Sequence, residues 1–420
     1  MTTAIYWFRN DLRLEDNPAL VLACKSADFL LPIYVHDKHL EEETPWGFPR
    51  ISEHRKVFLQ ASLEDLRAQL RSLGSDLVEL SGDFREVFSN LRTQLGVSQI
   101  YCEQIEVPEE LQQVSALRDI GFEVQTIWQS SMLDPQSLPF QLKQMPDIFT
   151  QFRQQIEKSK LRFAKPVDSV QVIPPLPNDG GAYGLQTAVD TKAGNGLFIG
   201  GARGAHAHIH QYFERRLVDT YKLTRNQLVG MDYSSKFAPW LALGCCSART
   251  IANALSDYEN RYGANDGTYW LWFELLWRDY FRFLHFKYGA RLYWSAGLGD
   301  NRSNPFDGLK FNQWASGNTG TPLVDAAMRE LSKTGFLSNR MRQIVASFWI
   351  YDMQGDWRAG AAWFESQLID YDVYSNQGNW LYIAGKGTDP RGGRPFNVAK
   401  QTKDHDPDGA YQRMWLNEAT

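Results

Sequence analysis

The chain has 420 residues, of which 43% are hydrophobic and 22% charged, and its formal net charge is −5. This length allows two domains with separate cores. The negative sum does not indicate a nucleic-acid binder, although a local basic groove is invisible to a whole-chain sum. Aromatic residues make up 13% of the chain and include 14 Trp, which fits either large helical cores or stacking on a cofactor or on bases.

No apolar run is long enough to span a bilayer, and we recognise no signal peptide. The four cysteines show no metal or redox spacing and are expected to be reduced. His206 and His210 share one helical face, but no Cys, Asp or Glu completes a metal site nearby, so a surface or capping role is expected. These features predict a soluble cytoplasmic protein without a metal.

Residues 4–128 alternate short apolar segments with amphipathic helical patterns. This alternation predicts a doubly wound parallel sheet, that is, an α/β domain. A long helix is predicted from Ser52 to Leu73, closed by Gly74. The predicted strands begin at Ile5, Phe29, Asp76, Gln99 and Glu123.

A proline-rich segment follows, from about residue 132 to residue 196. It contains one short helical pattern around Ile148–Lys160 and a flexible run from Asn178. This composition predicts a connector that lies over the surface between two domains. The predicted boundaries are 1–131 for the α/β domain, 132–196 for the connector and 197–420 for an all-helical domain.

The stretch from residue 335 to residue 389 is the richest in chemistry. Asp356 can cap a helix that runs into Asp370 and Asp372. Two carboxylates at a helix C-terminus need cations or a hydrogen-bond donor nearby, because that end already carries partial negative charge; Arg342 is the candidate cation. The run Ser375–Trp380 is predicted as a polar loop close to a flat heteroaromatic ligand, the alternative being a solvated acidic turn.

This stretch resembles the flavin-binding core of the photolyase/cryptochrome family, and within it the DASH-type cryptochromes. The resemblance implies a photolyase-like fold, with an antenna-binding α/β domain joined to an all-α C-terminal domain that binds FAD. It also implies light-driven electron transfer from reduced FAD to a cyclobutane pyrimidine dimer. The matching motifs are Asn339-Arg-Met-Arg342, Asp356-Trp-Arg and Asp370-Tyr-Asp372 with Asn376 and Trp380, and the similarity extends from Tyr6 to Leu416.

A second motif, Ser234-Ser-Lys-Phe237, resembles the family's flavin-diphosphate loop. Its hydroxyl, backbone and ammonium donors stand just before a helix, which suits a pyrophosphate; Ala238 follows where the family usually has a hydroxyl. The resemblance also implies an antenna pigment, often a folate such as methenyltetrahydrofolate, at Glu109. The residues that it assigns to FAD are Tyr221, Ser234, Ser235, Lys236, Phe237, Arg278, Arg342, Asp370, Asp372 and Asn376.

An aromatic stripe at helical spacing runs from Trp270 to Phe283 and includes several of the expected substrate contacts. Such a stripe is more often core, but here a carboxylate and arginines share its face, which suits a flipped base. Tyr382 stands where ordinary dimer photolyases have a second Trp, and Leu337-Ser338 replaces the histidine pair of six-four photolyases. By resemblance the substrate contacts are Glu274, Trp277, Arg282, Asn339 and Tyr382, and the catalytic residues are Trp380, Trp357, Asn376 and Glu274.

Trp380 and Trp357 match the inner two members of the family's tryptophan relay, which photoreduces the flavin. Asn304 stands where the outer Trp is expected. Trp294 and Tyr293 are the two candidates for the role of the outer relay residue.

The sequence therefore predicts a monomeric DASH-type cryptochrome that repairs cyclobutane dimers preferentially in single-stranded DNA. Tyr382 offers a smaller stacking surface than Trp, so flipping from a duplex would be poorly compensated. Two alternatives stay open: a blue-light sensor without repair activity, and an ordinary photolyase acting on duplex DNA. A flavin reductase that works in the dark lacks any nicotinamide fingerprint.

Overall fold

The computed structural model describes residues 1–177 and 197–416, so the run predicted to be flexible from Asn178 lies outside the described residues. The N-terminal part contains a five-stranded sheet in the order β3-β2-β1-β4-β5. Every pairing is parallel, which requires a crossover between consecutive strands. The strands are β1 Thr3–Phe8, β2 Phe29–Asp37, β3 Val78–Gly82, β4 Gln99–Glu103 and β5 Glu123–Ile127.

Helices cover both faces of this sheet. Ile5 and Trp7 of β1 pack with α3 and α4, whereas Tyr6 and Phe8 face the core that includes α1 and α2. Successive side chains of a strand point to opposite faces, so both faces are apolar and the doubly wound prediction is confirmed. These helices are α1 Pro18–Ser26, α2 Glu53–Ser72, α3 Phe84–Leu95 and α4 Pro108–Asp119.

The connector, predicted to lie over the surface, is exposed or partly buried at most of its described residues, but a few of its side chains anchor it in the core. Helix α5 (Phe149–Ser159) buries Phe149, Phe152 and Ile156 in the core shared with the helical domain. The Asp279 carboxylate accepts hydrogen bonds from two connector amides at 2.9 and 2.7 Å. Burial raises the pKa of Asp279 to about 6.

The rest of the described chain is helical, as predicted, and α10 is its longest helix. None of the helices within residues 1–177 and 197–416 is both long and apolar enough to cross a membrane. The helices are α6 Gly201–Glu214, α7 Tyr221–Thr224, α8 Ala238–Ala242, α9 Ala248–Tyr262, α10 Asp266–Tyr288, α11 Gly308–Ala315, α12 Pro322–Thr334, α13 Asn339–Ser347 (extended by a π-helical turn, Phe348–Asp352), α14 Trp357–Gln367, α15 Val373–Ala384, α16 Val398–His405 and α17 Ala410–Leu416.

Candidate cofactor and substrate site

A cavity of about 90 Å³ lies between α13, α14 and α15, and we call it the α13–α15 cavity. It brings together side chains from the richest stretch of the sequence. Gln343, next to Arg342, also lines it. The predicted site residues in its wall are Asn339, Arg342, Asp370, Asp372, Asn376 and Trp380.

The two aspartates have different cationic partners. Arg342 was predicted as the cation for both carboxylates, and its Nη2 lies 2.8 Å from Asp370 Oδ2. Asp372 is paired with Arg282 instead, and its Oδ2 lies 4.0 Å from Arg278 Nη2. Burial alone would raise the pKa of Asp372, but the two arginines hold it well below its usual range. Arg282, expected on the substrate side, is therefore a buried partner of this carboxylate.

The run Ser375–Trp380 was predicted as a loop, and it lies within α15. Asp372 is its N-cap and accepts a hydrogen bond from the Ser375 amide at 2.8 Å. Asp372 thus begins a helix, where a carboxylate is favourable. The Asn376 amide donates to the Ala361 carbonyl at 3.0 Å, which ties α15 to α14.

The predicted diphosphate motif lies outside the wall of the α13–α15 cavity. Lys236 is buried with its Nζ 3.4 Å from the Tyr233 ring centroid and 5.2 Å from that of Phe336. The guanidinium of Arg342 lies 5.5 Å from the same Phe336 ring. Within the described residues Lys236 Nζ has no hydrogen-bond partner, and burial lowers its pKa to about 8. An unpartnered buried ammonium near a second cation fits a diphosphate ligand.

The expected substrate face is assembled around Trp277. Its ring stacks on Phe149 of α5 with centroids 3.6 Å apart and an interplanar angle of 13°, and Tyr382 lies edge-on at 5.6 Å. Glu274 is paired with Arg225. Burial raises the pKa of Glu274 although Arg225 opposes the shift.

Three residues of this face were missed. Phe149 and Arg394 lie far along the chain from Trp277, and Arg225 is separated from Glu274 by two helices. Arg394 donates a hydrogen bond to the Tyr382 hydroxyl and is itself held by Asp389 at 2.7 Å. No periodicity in the sequence links these segments, because only the fold brings them together.

The expected relay tryptophans lie in different surroundings. Trp380 is buried against Phe364, with ring centroids 5.1 Å apart, and Trp314, at 6.3 Å. Trp357 donates from its indole nitrogen to the Ser295 carbonyl at 3.1 Å. Trp294, the neighbour of Ser295, is 57% exposed. Asn304, at the position of the expected outer Trp, donates to the Gln354 carbonyl at 3.0 Å.

A larger cleft of about 800 Å³ separates the α/β domain from α14 and α15. Trp294, Trp357 and Asn376 line it, as does Glu109, the expected antenna residue. Arg50 binds both carboxylate oxygens of Glu109, at 2.6 and 2.8 Å. The same guanidinium lies 2.9 Å from Glu365 on α14. Arg50 therefore links Glu109 to the helical domain across this interdomain cleft.

The two histidines weighed as metal ligands, His206 and His210 of α6, each lie beside a carboxylate. His206 lies 3.0 Å from Glu15, and His210 lies 3.3 Å from Glu214. Among the residues that the structure describes, no group of three or more His, Cys, Asp or Glu could hold a metal ion.

The chain matches two families in sequence. Residues 4–175 match the family described as DNA photolyase, and residues 270–420 match the FAD binding domain of DNA photolyase. Proteins named Cryptochrome DASH are 43% identical in Gloeobacter violaceus and 44% identical in Xenopus laevis. These alignments cover 99% and 98% of this chain, and 86% and 82% of the relatives.

Solved structures agree with the sequence matches. A cryptochrome from Synechocystis superposes with a TM-score of 0.91 at 42% identity, over all of this chain and 89% of that one. A class III photolyase from Agrobacterium tumefaciens gives a TM-score of 0.81 at 27% identity, over all of this chain and 87% of that one. Together these findings confirm the fold and the FAD-binding character of the helical domain.

Proposed function

Because the chain belongs to the photolyase/cryptochrome family, and within it is similar to the DASH-type cryptochromes, we propose that it repairs cyclobutane pyrimidine dimers in single-stranded DNA under blue light. Its cofactor is FAD, and DNA is the substrate that the family implies. The single observation that carries the proposal is the α13–α15 cavity. There, residues assigned to the flavin (Arg342, Asp372, Asn376) and to the lesion (Asn339) share one wall, so the electron donor and the dimer would be neighbours.

The protein's own residues bind and orient the cofactor and the substrate, and they exclude water from the site. Asp370 and Asp372, each held by its own arginine, fix the charge beside the cofactor. Lys236, whose ammonium has no hydrogen-bond partner in the part of the chain that the structure describes, supplies a positive charge for the diphosphate. When bound and reduced, FAD supplies the light-driven electron that splits the dimer.

The preference for single strands follows from the substrate face. Extracting a dimer from a duplex costs a few kcal/mol of unstacking, which a single strand largely avoids. Trp277 already has one stacking partner in Phe149, and the Tyr382 hydroxyl is engaged by Arg394. Since base–aromatic stacking contributes about 1–3 kcal/mol per base, this face compensates poorly for flipping.

We expect the wild-type protein with reduced FAD to repair a dimer at least about tenfold faster in a single strand than in a duplex, since 1.4 kcal/mol corresponds to about tenfold. Tyr382→Trp enlarges the stacking surface and is expected to raise duplex repair. Tyr382→Phe removes only the hydroxyl and is the matched control, with little change in preference. The measurement is light-dependent loss of dimers from matched oligonucleotides at fixed salt, because phosphate contacts weaken as salt rises.

Two outcomes contradict this proposal and favour its alternatives. Equal repair of both substrates by the wild type would indicate an ordinary photolyase. No repair of either substrate, with FAD bound and reduced, would indicate a light sensor.

We also propose that the interdomain cleft holds a light-harvesting pigment such as a folate. Its volume of about 800 Å³ is within the range of small-molecule sites, and Glu109, the antenna residue that the resemblance implies, lines it. The crystal structure of an archaeal photolyase from Sulfolobus tokodaii contains two FAD molecules, with the implication of a novel light-harvesting cofactor. Absorbance of pigments released by denaturing the purified protein should show a second chromophore beside FAD; FAD alone in protein saturated with added folate contradicts this.

A further inference from the structure

Asp372 lines a second cavity besides the α13–α15 cavity. This space of about 20 Å³ is enclosed by the end of β4, by α10 and by the start of α15. Its wall includes Glu103, Ser130, Arg278 and Arg282. Asp372 therefore connects the expected flavin site with a small polar chamber at the domain boundary, which we call the Glu103 chamber.

Three buried polar atoms of this wall have no hydrogen-bond partner within the described residues: Glu103 Oε2, Ser130 Oγ and Arg282 Nε. Glu103 is only 1% exposed. Leaving such groups unsatisfied is unfavourable because they lose their hydration, and a chamber of this size holds about one water. One water that accepts from Arg282 Nε and donates to Glu103 would satisfy two of them.

Glu103 faces charges of both signs. Burial and the nearby Asp11 raise its pKa to about 8, although arginines oppose the shift. A carboxyl in this environment keeps its proton at neutral pH and does not compete with Asp372 for Arg282. The charged and titratable groups facing it are Asp11, Arg9 and Arg13 from the segment after β1, Arg278 and Arg282 from α10, and Asp372 and Tyr374 from α15.

We propose that Glu103 is a positioning residue for Asp372. The protonation state of Glu103 decides how strongly Arg282 pairs with Asp372. Neutral Glu103 leaves the Arg282 guanidinium entirely to Asp372. When Glu103 loses its proton to the chamber water and then to solvent, two carboxylates share Arg282, and its pairing with Asp372 weakens. Binding of FAD beside Asp372 is thereby coupled to the charge of a residue in the other domain.

The inference concerns the FAD site and is independent of the choice of DNA substrate. The dissociation constant of FAD for the wild-type apoprotein should rise about three- to tenfold between pH 7 and pH 9, within the tenfold per pH unit that one proton allows. Glu103→Gln, which cannot ionise, should hold this constant within about twofold. Glu106→Gln changes a partly buried glutamate of the same chain segment and should behave as the wild type does.

Unfolding of the apoprotein gives a readout without FAD. The pKa of Glu103 is higher in the folded chain than in the unfolded one, where it is about 4.3. Its contribution to stability is therefore complete below about pH 4.3 and is lost as pH rises through 8. The melting temperature of the wild type relative to Glu103→Gln should fall between pH 5 and pH 8 and then level off.

Either of two results overturns the proposal. One is a difference in melting temperature that does not change with pH, which would mean that Glu103 titrates normally. The other is failure of Glu103→Gln to fold, because an amide replaces a neutral carboxyl at little cost but cannot replace an ionised partner of arginine.

Discussion

Asp372→Asn is expected to yield apoprotein without bound FAD and to lower the free energy of unfolding by about 3–5 kcal/mol. The substitution keeps the side chain's shape and an oxygen that can still cap α15. It removes the charge that Arg282 and Arg278 face, and their side chains are only 3% and 13% exposed. Two buried cations then lose the carboxylate that pairs with Arg282 and lies 4.0 Å from Arg278. Absorbance after gel filtration measures FAD retention, and urea titration of the apoprotein measures stability.

Asp266→Asn is the matched control for this substitution. Asp266 also forms a close ion pair, with Lys222 at 2.7 Å, but its side chain is 80% exposed. An exposed pair contributes about 0–1 kcal/mol, so this variant should keep FAD and most of its stability. If Asp372→Asn is no more destabilising than Asp266→Asn, the buried pairing does not hold the site.

The stability that Asp372→Asn loses relative to the wild type depends on pH. The pKa of Asp372 is depressed in the folded protein, so its stabilisation is complete above the unfolded value of about 3.9. It is lost as pH falls through the folded value. The difference between the wild type and Asp372→Asn should therefore be constant at neutral pH and shrink below about pH 4.

The α/β domain could be predicted from the sequence because its signals are local. A strand of a doubly wound sheet is apolar on both faces, so Phe29-Leu-Leu-Pro-Ile is recognised without knowledge of its partners.

In the helical domain the boundaries of the helices were harder to predict. Ser375–Trp380 looked like a loop because polar residues and Gly378 stand in its first turns. In the fold, Gly378 allows close contact with Phe281, since a Cβ there would lie 2.1 Å from the Phe281 ring.

Only those parts of the site that lie within one motif or in neighbouring motifs could be predicted from the sequence. Asp370 and Arg342 lie in neighbouring motifs, and their pairing followed from the charge of a helix terminus. The ion pair between Asp372 and Arg282 depends on how α10 packs on α15, and no local sequence pattern encodes this packing. Phe149 against Trp277 is a similar case, because the proline-rich surroundings of Phe149 suggested a surface segment.

Trp380→Phe is expected to abolish photoreduction of bound FAD while leaving light-dependent repair by chemically reduced protein largely intact. Trp380 lines the α13–α15 cavity, and an electron passes to an excited ring only from an easily oxidised neighbour, since tunnelling falls steeply with distance. Phenylalanine keeps an aromatic core but is much harder to oxidise. The measurement is the bleaching of oxidised FAD under blue light with an external reductant.

Trp314→Phe is the matched control, because Trp314 is equally buried and is a ring neighbour of Trp380. We expect it to keep photoreduction, since the proposed route leaves Trp380 through Trp357. Trp294→Phe tests the exit of that route: Trp294 and Trp357 both line the interdomain cleft, and loss of Trp294 should slow photoreduction without affecting FAD binding. Photoreduction of Trp380→Phe at the wild-type rate would mean that another ring feeds the flavin. Loss of photoreduction in Trp314→Phe would move the route into the buried cluster of Trp314 and Trp349, whose centroids are 5.4 Å apart.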